Sequence, residues 1–282
     1  MIQRLAIVGL GLLGGSVAKA ARAEGLARSI VAVGRSAARL EAARRDGSVD
    51  RVTTDLAAGL READFVLLAA PVAAIEGLLP DVWRAAEPDA TVTDVGSAKA
   101  AIVRAAERLA AARPLAFVGG HPMAGSEQSG YAVARADLFQ GATVILTPTE
   151  RTDLPAAKRV TEFWEAVGAR VTALDPERHD QVVAAISHLP HLAAYALVES
   201  VARLDGQALD VAARGFKDTT RIATSDPRVW REIFLTNRAA LGQALAAFRA
   251  ALAEVEALIE AGEGERLERK LAEIKGVRER LS

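Results

Sequence analysis

The sequence predicts an α/β fold: a doubly wound parallel sheet in the N-terminal part, followed by an all-α C-terminal domain. Three observations carry this reading. Short apolar runs alternate with Ala/Leu-rich helical stretches, a glycine-rich turn joins the first strand to the first helix, and beyond Asp175 only helical periodicity remains. With 282 residues the chain is long enough for two domains, each with its own core. The change of pattern sets them at 1–174 and 175–282.

The first strand is expected at residues 5–8, Leu-Ala-Ile-Val, leading into Gly9-Leu10-Gly11-Leu12-Leu13-Gly14 and then a helix through Ser16 and Val17. Read alone, these twenty residues imitate a secretory leader, with Arg4 ahead of an apolar run and small residues at 18–20. The glycines decide against that. Their G-x-G-x-x-G spacing lies directly after a strand and before a helix, as in Rossmann-type dinucleotide-binding folds. Gly9 allows the tight turn, Gly11 lets a pyrophosphate approach the backbone, and Gly14 lets helix pack on strand. Leu12 and Leu13 begin the helix, whose free N–H groups and positive dipole end suit the phosphates.

Gly25 stops this helix, and strands are expected at 30–33, 65–70, 91–95, 117–119 and 143–146, with a helix at 97–112. A helix near 155–167 and a strand near 169–174 complete the domain. In the C-terminal domain, Leu241, Leu245, Phe248, Leu252, Val255 and Ile259 step by four and three alternately, a coiled-coil-like seam. It could pack on another helix of its own domain. A homodimer interface is the better reading, because a helical domain of about a hundred residues has limited core to cover so many apolar faces. Gly262 and Gly264 break this helix, and Leu267, Leu271, Ile274, Val277 and Leu281 line a final one.

The composition excludes several classes. Thirty-five Lys plus Arg against 36 Asp plus Glu leave a formal charge of −1, with no basic footprint for nucleic acid or an anionic membrane. Without cysteine there is no disulfide, thiolate metal site or Cys nucleophile, which is compatible with a cytoplasmic protein. No unbroken apolar stretch of about 20 residues predicts a membrane span.

Cofactor choice turns on the residues after the second strand. An NAD site carries an acid there for the ribose 2′-hydroxyl, whereas this chain reads Gly34-Arg35-Ser36, with no acid before Glu41. A guanidinium with a hydroxyl suits a 2′-phosphate, so NADP is expected ahead of NAD, although Arg35 could instead stack on adenine or face solvent.

Two loops are expected at the carboxyl ends of strands, where ligands of such sheets sit. One is Asp94-Val95-Gly96-Ser97-Ala98-Lys99; the other is Gly119-Gly120-His121-Pro122-Met123-Ala124-Gly125-Ser126-Glu127. His121 is the candidate catalytic residue, against the alternative of a structural histidine in a tight turn. The remaining three of the four histidines are His179, expected to support the start of its helix, and His188 and His191. A zinc site from these would need more ligands than the sequence offers, so no metal is expected. The segment 215–223 with Ser225, Asp226 and Pro227 forms a polar cluster in an apolar domain. In it, Arg221, with Asp218 nearby, can clamp a substrate carboxylate or stand as an exposed helix charge.

Taken together, these segments resemble the prephenate/arogenate dehydrogenase family of tyrosine biosynthesis over nearly the whole chain. The resemblance implies a catalytic site between a Rossmann-type domain and a helical dimerisation domain. His121 matches the catalytic histidine that contacts the ring hydroxyl, and Ser97 the serine that helps hold that hydroxyl and the histidine. Arg221 matches the carboxylate-binding arginine, His191 a pocket histidine, Glu127 a gating carboxylate and Trp230 a tryptophan near the pocket. The implied reaction passes hydride from the hydroxyl-bearing carbon to NAD(P) and releases carbon dioxide. The substrate is prephenate or arogenate. The length leaves no room for an appended regulatory domain, so any tyrosine inhibition is expected to act at the active site. A non-catalytic NADP-sensing regulator is the distant alternative.

Overall fold

The structure is a computed structural model and describes residues 1–126 and 128–281. Eight strands form one sheet: β1 (Ile2–Val8), β2 (Ala27–Val33), β3 (Arg51–Thr53), β4 (Phe65–Leu68), β5 (Thr91–Asp94), β6 (Ala116–Pro122), β7 (Thr143–Thr147) and β8 (Arg170–Ala173). Their order is β3-β2-β1-β4-β5-β6-β7-β8. The order reverses between β1 and β4, which opens a crevice at their carboxyl ends, the usual ligand position of an open α/β sheet.

The helices α1 (Leu12–Ala23), α2 (Ala37–Arg45), α3 (Leu56–Leu60), α4 (Val72–Ala85), α5 (Ala100–Ala112) and α6 (Leu154–Ala166) cover the sheet. Alternation along the strands explains the two layers. Leu5, Ile7, Phe65 and Leu67 join Val17, Ala21, Phe163 and Trp164 in one apolar cluster. Ala6, Val8, Val66 and Leu68 join Ile75, Leu79, Trp83 and Ile102 in the other. A strand buried on both faces needs apolar residues at every position, hence the unbroken runs in the sequence.

The sheet departs from the expected pattern in two places. The three-residue edge strand β3 carries Arg51, Val52 and Thr53, too short and too polar to register as a strand. The β6–β7 pair is antiparallel, whereas a parallel sheet was expected throughout. The reason is the connection, which has no crossover helix, so the chain re-enters at the edge it left. Instead, the connection lays residues 131–135 against α1. There the Arg135 N–H donates to Ser16 Oγ (3.0 Å), Lys19 Nζ donates to the Ala134 carbonyl (2.9 Å), and a Cβ on Gly15 would lie 2.7 Å from the Tyr131 ring.

The C-terminal part is helical: α7 (Pro176–Val183), α8 (Leu189–Leu204), α9 (Arg214–Thr220), α10 (Pro227–Thr236), α11 (Arg238–Glu260) and α12 (Gly264–Glu279). A π-helical turn (Ala184–His188) joins α7 to α8. Pro190, which has no N–H for the carbonyl four residues earlier, accompanies this widening. The joined helix is long and apolar enough, by length and composition alone, to cross a membrane. Its apolar character is interrupted by His179, Asp180, His188 and His191.

The seam on α11 is partly uncovered: Leu241 is buried and Leu245 and Val255 are half-buried, but Phe248, Leu252 and Ile259 are 42%, 56% and 61% exposed, and Leu271, Ile274 and Val277 of the α12 row are exposed too. Gly262, at φ +65°, makes the turn between these helices. The C-terminal half of the α11 stripe and the α12 row are therefore largely open among the described residues.

Candidate active site

The glycine loop follows β1 as its spacing implies. Gly9 has φ +99°, and a Cβ there would lie 2.3 Å from the Ala69 carbonyl oxygen. A Cβ on Gly14 would lie 2.0 Å from the Gly9 carbonyl oxygen and 3.0 Å from the Ala69 Cβ, so helix and strand approach as closely as backbone allows. Around Gly11 a Cβ would meet nothing within 4 Å, which leaves that side open to a ligand. Leu12 and Leu13 form the first turn of α1, which carries no acidic residue, and their side chains pack on the core. These residues fit a dinucleotide pyrophosphate: the cradle is bare where a phosphate needs room and tight where helix must meet strand.

At the end of β2, Gly34 packs on Leu40, Arg35 is exposed, and Ser36 begins α2 without a side-chain capping bond. Glu41, the one acid on α2, is held by Arg44 through a bidentate contact, which lowers its carboxyl below the usual range.

The second cluster gathers residues from both parts of the chain. His121 lies inside β6, paired with Ile145, not in the loop expected from its glycines. Its Nδ1 is 2.9 Å from Nε2 of His179 on α7, and His179 Nδ1 is 2.8 Å from Asp180 Oδ1. Asp180 accepts the Lys99 N–H (2.7 Å) and the Ala100 N–H (3.1 Å) at the start of α5. Beneath His121, the fully buried Lys99 ammonium pairs with Asp94 and donates to the Gly120 carbonyl (2.9 Å). Asp94 in turn accepts from the Gly96 and Gly120 N–H groups (2.8 and 3.2 Å). One carboxylate thus ties the loop that bears Ser97 to the strand that bears His121.

Burial above all, then the facing His179 and Lys99, holds the His121 imidazole well below its ordinary range, so the ring is neutral at physiological pH. Burial also lowers His179, against the opposing pull of Asp180. For Asp180 itself burial opposes the charge, but the bonds from His179 and the two backbone N–H groups outweigh it and hold the carboxyl low.

A third group adjoins. His191 stacks on Trp230, with centroids 3.4 Å apart and planes 19° from parallel, and its Nδ1 lies 2.9 Å from the Ser187 carbonyl. Burial, and after it the nearby Arg221 charge, depresses His191. The buried His188 packs edge-on to Trp230, and its Nδ1 is 3.3 Å from Asn237 Nδ2, which also donates to the Asp180 carbonyl (2.8 Å). Burial pushes His188 down to about 4.

Among the sequence-derived candidates, His121, His191 and Arg221 therefore stand in or beside connected clusters. Ser97 is partly buried on the Asp94-pinned loop, and the bond His121 makes is to His179 rather than to Ser97. Asp218 is exposed and pairs with Arg214 (3.3 Å). Glu127 lies outside the described residues. His179, expected to support the start of its helix, and Lys99, within the 94–99 motif, also join the His121 cluster. Among the described residues, no group of three or more His, Cys, Asp or Glu side chains is arranged to hold a metal ion.

Two family models match the chain: the prephenate dehydrogenase nucleotide-binding domain over residues 17–173, and the prephenate dehydrogenase dimerization domain over 175–273. A cyclohexadienyl dehydrogenase of Zymomonas mobilis is 34% identical over 271 residues, covering 95% of this chain and 92% of its own. In structure, the chain is similar to a prephenate dehydrogenase from Aquifex aeolicus in complex with hydroxyphenyl propionate and NAD+. The TM-score is 0.93 at 37% identity, over 100% of this chain and 99% of that one. It is also similar to an arogenate dehydrogenase of Synechocystis, with a TM-score of 0.87 at 32% identity over 99% and 100% of the two chains.

Proposed function

We propose, from the premise that this chain belongs to the prephenate dehydrogenase family of NAD(P)-dependent oxidoreductases, that it converts prephenate to 4-hydroxyphenylpyruvate by oxidative decarboxylation. The observation that carries the reading is a neutral imidazole, His121, fixed at the carboxyl end of β6, the same end of the sheet as a glycine cradle fit for a dinucleotide.

When bound, the nicotinamide supplies the hydride acceptor. Gly9, Gly11, Gly14 and the first turn of α1 at Leu12 and Leu13 hold its pyrophosphate. His121 takes the proton of the ring hydroxyl as that carbon is oxidised, and Ser97 orients the hydroxyl. Arg221 binds a substrate carboxylate, with His191 and its Trp230 stack lining the same pocket. Loss of carbon dioxide then aromatises the ring, which makes the step effectively irreversible. Asp218, three residues before Arg221, is assigned to the substrate side in this scheme.

Arg35 and Ser36, with Glu41 engaged by Arg44, support a preference for NADP over NAD. The open α11 and α12 stripe supports a homodimer through the C-terminal helices. A cytoplasmic location accompanies a biosynthetic role of this kind, and the domains divide at 174/175.

A second reading has its own support: the similarity to a cyclohexadienyl dehydrogenase and to an arogenate dehydrogenase favours arogenate as an additional substrate. The deciding assay follows reduction of NADP and of NAD with prephenate and with arogenate in parallel. Turnover of prephenate, with a higher kcat/KM for NADP, is expected. Turnover of arogenate alone would shift the assignment to the second reading, and a twofold or greater preference for NAD would remove the role given to Arg35.

A further inference from the structure

The chain of contacts from Asp180 through His179 to His121 fixes more than position. We propose that His179 and Asp180 are positioning residues that set the tautomer of His121, leaving its Nε2 bare to accept the substrate proton. The proposal rests on the oxidative reading above and deepens it.

Asp180 Oδ1 faces the Lys99 N–H at 2.7 Å, and Oδ2 faces the Ala100 N–H at 3.1 Å. Backbone N–H groups only donate, so both oxygens act as acceptors, and these bonds hold the carboxyl below its usual range and therefore ionised at neutral pH. Asp180 Oδ1 also lies 2.8 Å from His179 Nδ1, so that nitrogen must carry a hydrogen. His179 is fully buried, with the Lys99 ammonium close by, so a second proton on its ring is disfavoured and Nε2 is left as a lone pair. The nearest group to that lone pair is His121 Nδ1, at 2.9 Å. A hydrogen bond forms there only when His121 Nδ1 carries the hydrogen, and a neutral imidazole has only one. His121 Nε2 is then the free acceptor.

The groups around His121 agree with this assignment. Lys99 faces it from the start of α5, with its charge matched by Asp94 on β5, and His179 and His188 face it from α7 and the π turn. None of them is a free anion that would draw a second proton onto the ring. When His121 accepts the hydroxyl proton at Nε2, its Nδ1–H already points along the chain toward Asp180. The new positive charge is therefore stabilised across both imidazoles by a carboxylate that stays ionised. The arrangement also clamps α7 onto the N-terminus of α5.

The test is nitrogen-15 NMR of the histidine rings in the NAD+-saturated enzyme at neutral pH, read together with kinetics of His179→Phe and His179→Gln. Expected is a neutral His121 protonated at Nδ1 in the unsubstituted enzyme. His179→Phe should release that tautomer and lower kcat by about a hundredfold, with KM and NAD+ affinity little changed. His179→Gln, whose amide oxygen can accept from Nδ1–H, should recover a good part of the loss. A His121 protonated at Nε2 in the unsubstituted enzyme would overturn the proposal, as would His179→Phe retaining kcat and its pH profile. Should His179→Phe fail to fold, the spectrum of the unsubstituted enzyme decides by itself. The spectrum needs no substrate, so failure of the prephenate reading would show separately, as absence of turnover.

Discussion

Acid should destabilise this protein well before its carboxylates titrate, because all four of its histidines are held below their ordinary range. The magnitude can be worked for His188, which falls from 6.5 in the unfolded chain to about 4 in the folded one. Below pH 6.5 the unfolded state binds a proton that the folded state refuses, so stability rises with pH there and falls on acidification. At about 1.4 kcal/mol per unit, the full gap is worth roughly 3 kcal/mol, of which roughly 2 is lost by about pH 5. His121 and His179 act in the same direction and steepen the slope beyond one proton per molecule. Paired carboxylates such as Asp180 add their own loss only below about pH 5, so the two effects separate. The assay is urea unfolding at a fixed protein concentration, at steps between about pH 7 and pH 5, with His188→Gln alongside. The substituted chain should show a slope smaller by about one proton. Stability that stays level or rises on acidification through this window would refute the burial argument.

Other outcomes follow from the same geometry. Gly14→Ala drives a Cβ against the Gly9 carbonyl, so it should cost about 1–3 kcal/mol of stability and weaken nucleotide binding, read by unfolding and by cofactor titration. Arg221→Ala should chiefly raise the KM for prephenate by about tenfold or more, with kcat less affected; an unchanged KM would remove the clamp. Leu252→Glu places a charge in the open seam of α11 and should shift the protein toward monomer in sedimentation, without loss of helical signal.

Much of the architecture was legible in the sequence because the determining signals are local. The glycine loop is read from six consecutive residues, and the strands buried on both faces announce themselves as apolar runs. The α11 seam follows from spacing alone, and its Phe248, Leu252 and Ile259 are exposed. What escaped depends on distance in the chain or on an absent signal. Three polar residues at a sheet edge leave no pattern for β3. The antiparallel return of β7 follows from a connection without a crossover helix, which a strand's own composition does not record. The meeting of His121 with His179 joins positions 58 apart in sequence, and burial of Lys99 under Gly120 depends on Asp94 standing across the same turn. Charged residues inside a motif read as solvent-facing until the partner that neutralises them is placed. A direct His179–Asp180 dipeptide beside another helix's N-terminus was the one available cue.

The account rests on His121 as the neutral base of an oxidative decarboxylation, and one measurement reaches it most directly. Reduced cofactor and carbon dioxide are measured together from prephenate, with the unsubstituted enzyme and with His121→Asn, at saturating cofactor. The expected result is one carbon dioxide per reduced cofactor, with kcat lowered by about a hundredfold or more in the variant and cofactor affinity near that of the unsubstituted enzyme. Near-full kcat in His121→Asn, or cofactor reduction without carbon dioxide, would contradict it.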